Sequence, residues 1–205
     1  MGTYIKFFKP IEKELKKKIR KKGLTITVDG PSGSGKSTGA KAIAKALKLN
    51  YFYVGEIFRK LAKERGLSLE KFCAIREKEI DLEADKRTLE LSMRGNVVLD
   101  GRITGWVAGD WADIKIYYDT PLEIRAKRVA KRDKKSFENT LKDLKERDEN
   151  DRKKYKEIYG IDSFDKSIYN LIIDNSNFTL KDAKIFPVKL VKDFLKKKLK
   201  KKVRT

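Results

Sequence analysis

Residues 30–38 read Gly30-Pro31-Ser32-Gly33-Ser34-Gly35-Lys36-Ser37-Thr38, with Gly30, Gly35, Lys36 and Ser37 at the fixed positions of G-x-x-x-x-G-K-[ST]. The spacing has a physical reason. Glycines let successive backbone N–H groups turn inward into a concave nest for phosphate oxygens. Lys36 brings a point charge to the terminal phosphates, and the Ser37 hydroxyl suits a Mg²⁺ already bound to them. The segment predicts a nucleotide-phosphate site.

Further groups could do charge chemistry. Val97-Val98-Leu99-Asp100 is a short apolar run ending in a carboxylate, followed by Gly101-Arg102. A carboxylate there is what a Mg²⁺-bridging partner to a phosphate loop needs. Arg102 would stand at a strand's carboxyl edge, where open α/β sheets bind ligands. Arg59 falls in the second turn of a helix opening at Gly55. Arg125, Arg128 and Arg132 recur at i, i+3 and i+7, so one helix face should present three guanidiniums; Arg147, Asp148, Asp151 and Tyr155 follow. Arginine in a chain that otherwise prefers lysine favours a phosphate clamp, because its planar fork matches phosphate oxygens in pairs. In the acidic run Glu77, Glu79, Asp81, Glu83, Asp85, the residues Asp81 and Asp85 share a helix face. Such a face is either solvated or, turned to a pocket, able to read an amino group on a base.

These groups need a frame. Leu24–Val28 is an apolar, β-branched run, and Ala40, Ile43, Ala44 and Leu47 after the loop repeat at helical spacing. Strands are also predicted at 50–54, 96–100, 114–118 and 169–174. Five apolar strands alternating with helices predict an α/β fold with a five-stranded parallel sheet covered by helices on both faces. Ser68 is the expected cap of the acidic helix, and Pro187 marks a break in or near the last one. At the N-terminus Pro10 suits a first helical position, and Ile11, Leu15 and Ile19 recur every four residues up to Gly23. That amphipathic helix is expected to pack on the domain, with a membrane-surface or RNA contact as the alternative.

The net charge of +21 is concentrated at the ends. Residues 1–22 hold nine Lys/Arg and two Glu, and residues 181–205 hold eleven Lys/Arg and two Asp, leaving only +5 on the rest. The basic ends therefore read as solvated lysine faces, or as a weak, salt-dependent RNA contact. Cys73 is the single cysteine and histidine is absent, which excludes an intramolecular disulfide, a cysteine-based metal site and histidine general-base catalysis. With no apolar run of membrane-spanning length, a cytoplasmic protein of one domain is expected, without a membrane partner and monomeric.

From about Leu24 to Leu195 the chain resembles the nucleoside monophosphate kinases, and most closely cytidylate kinases of the short, archaeal type. Gly55-Glu56-Ile57-Phe58-Arg59 is similar to the segment whose arginine grips the monophosphate. Asp100-Gly101-Arg102 resembles the family's D-G-R segment, whose arginine meets the same phosphate. Arg147-Asp148-x-x-Asp151, with Tyr155 and Tyr159-Gly160-Ile161-Asp162, is similar to the exit of the family's lid. Ile103 stands where the bacterial form has an aspartate, Lys154 stands where an arginine is often seen, and the monophosphate segment is shorter.

The resemblance implies a P-loop fold with a kinase domain at 23–195, a basic N-terminal extension at 1–22 and a Lys-rich tail at 196–205. A monophosphate-binding segment would occupy about 55–94 and a lid about 125–160. The implied reaction moves the γ-phosphate of ATP to CMP, and to dCMP, with Mg²⁺ as cofactor. Residues 30–38 would bind ATP. Lys36, Arg128, Arg132 and Arg147 would stabilise the moving phosphoryl group, and Arg59 and Arg102 would hold the acceptor phosphate. Asp81 or Asp85 would accept from the base, with Mg²⁺ held by Ser37 and, through water, by Asp100. Phosphoryl transfer to an already anionic oxygen needs no strong base, so a chain without histidine can perform it. The alternatives are a kinase for AMP or UMP and, in a different class, an ATP-switched RNA or ribosome-assembly factor held by the basic ends.

Overall fold

β1 (Thr25–Asp29) is buried along its whole length, which only a strand covered on both faces can be. In the computed structural model it is the centre of a five-stranded sheet of order β2-β3-β1-β4-β5, every pairing parallel. The other strands are β2 (Asn50–Tyr53), β3 (Val97–Asp100), β4 (Ile114–Tyr118) and β5 (Leu171–Ile173). Ile26 lies opposite Val98 on one side and Ile114 on the other. The structure describes residues 2–19, 23–68, 71–72 and 78–202; Cys73, Glu77 and the outermost residues of both basic ends lie outside the described residues.

The two faces of β1 are chemically different. Ile26 and Val28 join Ile43, Ile114, Ile116, Tyr118 and Val191 in an apolar cluster under α2 (Lys36–Leu47) and the C-terminal helix. On the opposite face, Thr25, Thr27 and Asp29 meet α4 (Lys78–Arg94) and the short α5 (Thr104–Ala108). Thr25 Oγ1 donates to the Ser92 carbonyl at 2.8 Å. Asp29 accepts from the backbone N–H groups of Thr104 (2.8 Å) and Gly105 (2.6 Å), from Thr104 Oγ1 (2.7 Å) and from the Tyr169 hydroxyl (2.9 Å). Burial pushes the Asp29 carboxyl above the usual carboxylate range, against the pull of these bonds. The residue in front of the phosphate loop is thus tied to the segment that follows β3.

The remaining helices are α1 (Gly2–Lys16), α3 (Val54–Glu64), α6 (Leu122–Asp133), α7 (Phe137–Tyr159) and α8 (Asp182–Lys202). Several sequence expectations are corrected. α1 begins at Gly2 and contains Pro10 within it, because Phe8, upstream of the proline, is buried with Leu89, Met93, Tyr159 and Ile158. Ile11, Leu15 and Ile19 pack against that cluster, so the amphipathic face covers the domain as expected. α7 is one continuous helix of 23 residues, capped by Ser136, which carries Arg147, Asp148, Asp151 and Tyr155 together. α8 runs on past Pro187. β5 is only three residues long, since Asn170 turns its side chain to accept from the Lys115 N–H and Tyr169 points its hydroxyl to Asp29. Among the described residues no helix is long and apolar enough to cross a membrane.

The four-fold use of Asp29 gives a stability prediction. Asp29→Ala strands two buried backbone donors and two hydroxyls, at about 1–3 kcal/mol for each unpaired group, so the loss should total on the order of 4 kcal/mol or more. Urea denaturation checks it; a loss below about 1 kcal/mol would mean that these bonds are replaced by water.

Candidate active site

The loop after β1 is shaped by its glycines. Gly30 has φ +143°, and a Cβ there would sit 2.7 Å from the Tyr118 carbonyl oxygen. Gly35, at φ +81°, occupies the left-handed cap position that starts α2. The loop is anchored from below: Ser34 O accepts from Asn175 Nδ2 at 2.7 Å, and the Asn175 side-chain oxygen accepts from Thr120 Oγ1 at 2.8 Å. Thr38 lies on the first turn of α2, its N–H bonded to the Gly35 carbonyl.

Beside this loop is a cavity at the carboxyl ends of the central strands, lined among others by Ser32, Lys36, Tyr53, Phe58, Asp81, Asp85, Arg102, Arg147, Asp151 and Tyr155. Lys36 Nζ donates to the Pro31 carbonyl at 3.3 Å. Burial lowers its pKa to about 8; nearby Asp100 opposes the shift, and Arg102 and Arg147 add to it. Asp100 accepts from the Tyr51 hydroxyl at 2.6 Å, and the same hydroxyl is hydrogen-bonded to Ser37. Tyr51 therefore joins Ser37 to Asp100. The other Asp100 oxygen, Oδ1, is buried without a hydrogen-bond partner among the described residues.

Arg102 is held by carboxylates of α7. Its guanidinium meets Asp148 at 3.3 Å and Asp151 at 2.9 Å, and donates to Ser32 Oγ at 2.8 Å. Burial opposes its charge, but Asp151 and Asp148 outweigh that and hold its pKa above the usual arginine range. Asp148 also pairs with the buried Arg125 at 2.7 Å, whose Nη1 donates to the Ser32 carbonyl at 3.1 Å. Arg147, one residue away, has a buried Nε with no hydrogen-bond partner among the described residues. Among the described residues, Lys36 and Arg147 thus face the cavity with no carboxylate at ion-pair distance, while Arg102 and Arg125 are balanced.

Asp81 and Asp85 both turn to this cavity and are buried, whereas Glu79 and Glu83 on the same helix are exposed. Asp81 pairs with Lys154 at 2.8 Å, and Asp85 accepts from the Tyr159 hydroxyl at 2.5 Å. The pocket-facing alternative for this acidic face is the one adopted.

The three arginines of α6 do not form one phosphate-facing row. Arg125 is buried under the loop. Arg128 donates to Asn175 Oδ1 (3.0 Å) and to the Asn175 carbonyl (2.6 Å). Arg132 is exposed and bound to neighbouring Asp133 at 2.6 Å. The length of the arginine side chain lets each reach a different local acceptor. Arg59 is likewise exposed, 6.0 Å over the Tyr53 ring at the cavity rim. The residues that sequence reasoning gave no role are Tyr51, Tyr53 and Asn175, all at carboxyl ends of strands or in β2; the rule that α/β sheets bind ligands at that edge is the signal that flags them.

A model of the cytidylate kinase-like family matches residues 25–177. A cytidylate kinase of Pyrococcus horikoshii is 47% identical over 158 residues, which cover 76% of this chain and 82% of that protein. One of Staphylothermus marinus is 41% identical over 179 residues, 86% of this chain and 99% of that protein. Among solved structures, a shikimate kinase of Acinetobacter baumannii superposes with a TM-score of 0.57 at 20% identity over 86% of this chain and 95% of its own, a likeness of fold.

The depressed Lys36 pKa sets a pH prediction. Between about 8 and 10.5 the unfolded chain holds a proton that the folded, unliganded chain has lost, so wild-type stability gains with rising pH in that window. Below about pH 8 Lys36 is charged in both states and the burial penalty is complete. Lys36→Met should therefore melt above wild type near neutral pH without nucleotide, and the gap should narrow as pH rises through the window. A constant gap in paired melts would contradict the penalty.

Proposed function

The chain belongs to the cytidylate kinase-like family, and we propose that it transfers the γ-phosphoryl group of ATP to CMP, and to dCMP. One observation carries the reading. The buried Lys36, the half-buried Arg147, the guanidinium of Arg102 and the carboxylates Asp81 and Asp85 line one cavity beside the phosphate loop.

In the reaction, an oxygen of the acceptor phosphate attacks the γ-phosphorus of ATP. The bond from that phosphorus to the β,γ-bridging oxygen breaks, and ADP leaves with the electron pair. The attacking oxygen is already anionic, so the protein positions groups and neutralises charge. The 30–38 nest would hold the phosphates of ATP, and Lys36 and Arg147 would take up charge on the moving group. Arg102, already beside Ser32, would hold the acceptor phosphate, with Arg59 at the rim reaching the same group. Asp81 or Asp85 would accept from the cytosine amino group, as carboxylates do elsewhere. Arg128 and Arg132 would come second, since both are engaged by other acceptors in this structure. The lid helices α6 and α7 would exclude water, which protects ATP from hydrolysis.

The donor set fits Mg²⁺. Among the described residues Asp100 keeps a buried oxygen with no hydrogen-bond partner, and Tyr51 bonds both its other oxygen and Ser37. Mg²⁺ is commonly held by one or two protein oxygens together with substrate phosphates. Ser37 and Asp100 would hold the ion, whose charge would neutralise the β- and γ-phosphates.

The test is ADP release from ATP and Mg²⁺ with CMP, dCMP, UMP, AMP and GMP each offered as acceptor. Turnover should be strong with CMP and dCMP and weak with the rest; a preference for AMP or UMP would overturn the base assignment. Lys36→Ala should abolish turnover while the fold survives. Arg102→Lys, which keeps the charge that Asp148 and Asp151 need, should raise the KM for CMP by about 10- to 100-fold, the loss of roughly 1.5–3 kcal/mol of charged hydrogen bonding. An unchanged KM for CMP would remove Arg102 from the acceptor site.

A further inference from the structure

α1 lies ahead of residue 25, where the family match begins, yet it is built into the region that the function uses. It packs on both α4 and α7, the helices that carry Asp85 and Tyr159. Phe8 is 3% exposed, and its ring lies 5.6 Å from that of Tyr159, tilted by 36°. The Tyr159 ring is fully buried, and its hydroxyl donates to Asp85 Oδ2 at 2.5 Å. Asp85 in turn lines the cavity. A single chain of contacts thus runs from α1 through α7 to a carboxylate of the site.

The geometry of each link limits freedom. Phe8 closes one side of the Tyr159 ring, so the ring cannot rotate away without opening a cavity in a close-packed cluster. A fixed ring fixes its hydroxyl, and the hydroxyl occupies one lone-pair direction of Asp85. The carboxylate is left with a defined orientation for any donor in the cavity. Outside the chain of contacts, Glu12 accepts from Trp111 Nε1 at 3.1 Å and Lys16 lies 5.4 Å over the Trp111 ring, which secures the far end of α1.

We propose that Phe8 is a positioning residue for the acceptor nucleotide, acting through Tyr159 on Asp85. The N-terminal segment is then part of the specificity apparatus for the base, in addition to its packing role. The inference rests on Asp85 as a contact to the acceptor.

The experiment is steady-state kinetics on the full chain, with CMP varied at saturating ATP and ATP varied at saturating CMP. Phe8→Ala should raise the KM for CMP by about tenfold, the range that packed chains of side chains transmit, with the KM for ATP and kcat within about twofold of wild type. Phe8→Leu should recover most of the affinity, because it refills the space. Tyr159→Phe keeps the ring and removes the hydroxyl, and should match Phe8→Ala. Combining Tyr159→Phe with Phe8→Ala should add little, since both interrupt one route. If Phe8→Ala does not fold, Phe8→Val carries the same comparison with a smaller cavity. A lowered melting temperature with an unchanged KM for CMP, or equal rises in the KM for CMP and for ATP, would overturn the proposal. Asp85→Asn separates the two readings: a raised KM for CMP there with none in the Phe8 variants overturns only the role of Phe8. An unchanged KM for CMP in Asp85→Asn removes Asp85 from the site, and the proposal with it.

Discussion

Asp148 holds two guanidiniums at once, and the site depends on that. Its oxygens pair with Arg102 and Arg125, and both arginines also bond Ser32 of the phosphate loop. One carboxylate therefore connects α7, α6, the turn after β3 and the loop itself. Charges buried this far cost several kcal/mol each unless they are paired, so the four elements cannot drift apart independently. The geometry around Arg102 is set by α7 as well as by the sheet. The frame beneath is apolar and rigid, with the Ile26 cluster on one side of the sheet and the Phe8 cluster farther round.

Against this balanced network, Lys36 and Arg147 stand out. Neither has a carboxylate within ion-pair distance among the described residues. The depressed pKa of Lys36 measures the strain of keeping such a charge out of water. Here stability is given up for preorganisation: a protein selected for stability alone would place an apolar side chain at position 36.

How legible was this in the chain? The phosphate loop and the four longer strands could be read directly, because β-branched runs and the G-x-x-x-x-G-K-S spacing report local backbone needs. Asp100 and Arg102 followed from their place at a strand's end. The acidic run of α4 could not be decided from spacing, since the solvated pair Glu79/Glu83 and the buried pair Asp81/Asp85 both repeat every four residues, on opposite faces. The arginines of α6 failed for a related reason. Spacing fixes where a Cα lies, while a guanidinium on a long stem goes to whichever carbonyl or carboxylate is nearest: Asn175 for Arg128, Asp133 for Arg132. For Tyr51 and Tyr53 the edge rule needed the strand order as well. Only once β2 is known to pair with β3, with Tyr53 level with Asp100, do those rings belong to the site. Pro10 misled because the rule for a first helical position takes no account of Phe8, whose burial extends the helix upstream.

The same reasoning explains why α1 belongs in an account of chemistry. The cavity gathers cations on one wall and the carboxylates Asp81 and Asp85 on another, and carboxylates so placed would be drawn across to Lys36 or Arg147 if they were free to swing. Collapse of that kind would close the cavity. Two contacts prevent it: Lys154 neutralises Asp81 from α7, and the Tyr159 hydroxyl engages Asp85. Both come from the helix that carries Asp148, so a single rigid element sets the acidic wall and the guanidinium beside it. Phe8 presses that element onto α4 from behind. Separation of charge across a cavity is unfavourable by itself, and it persists here because aromatic and aliphatic packing outside the cavity holds the walls apart.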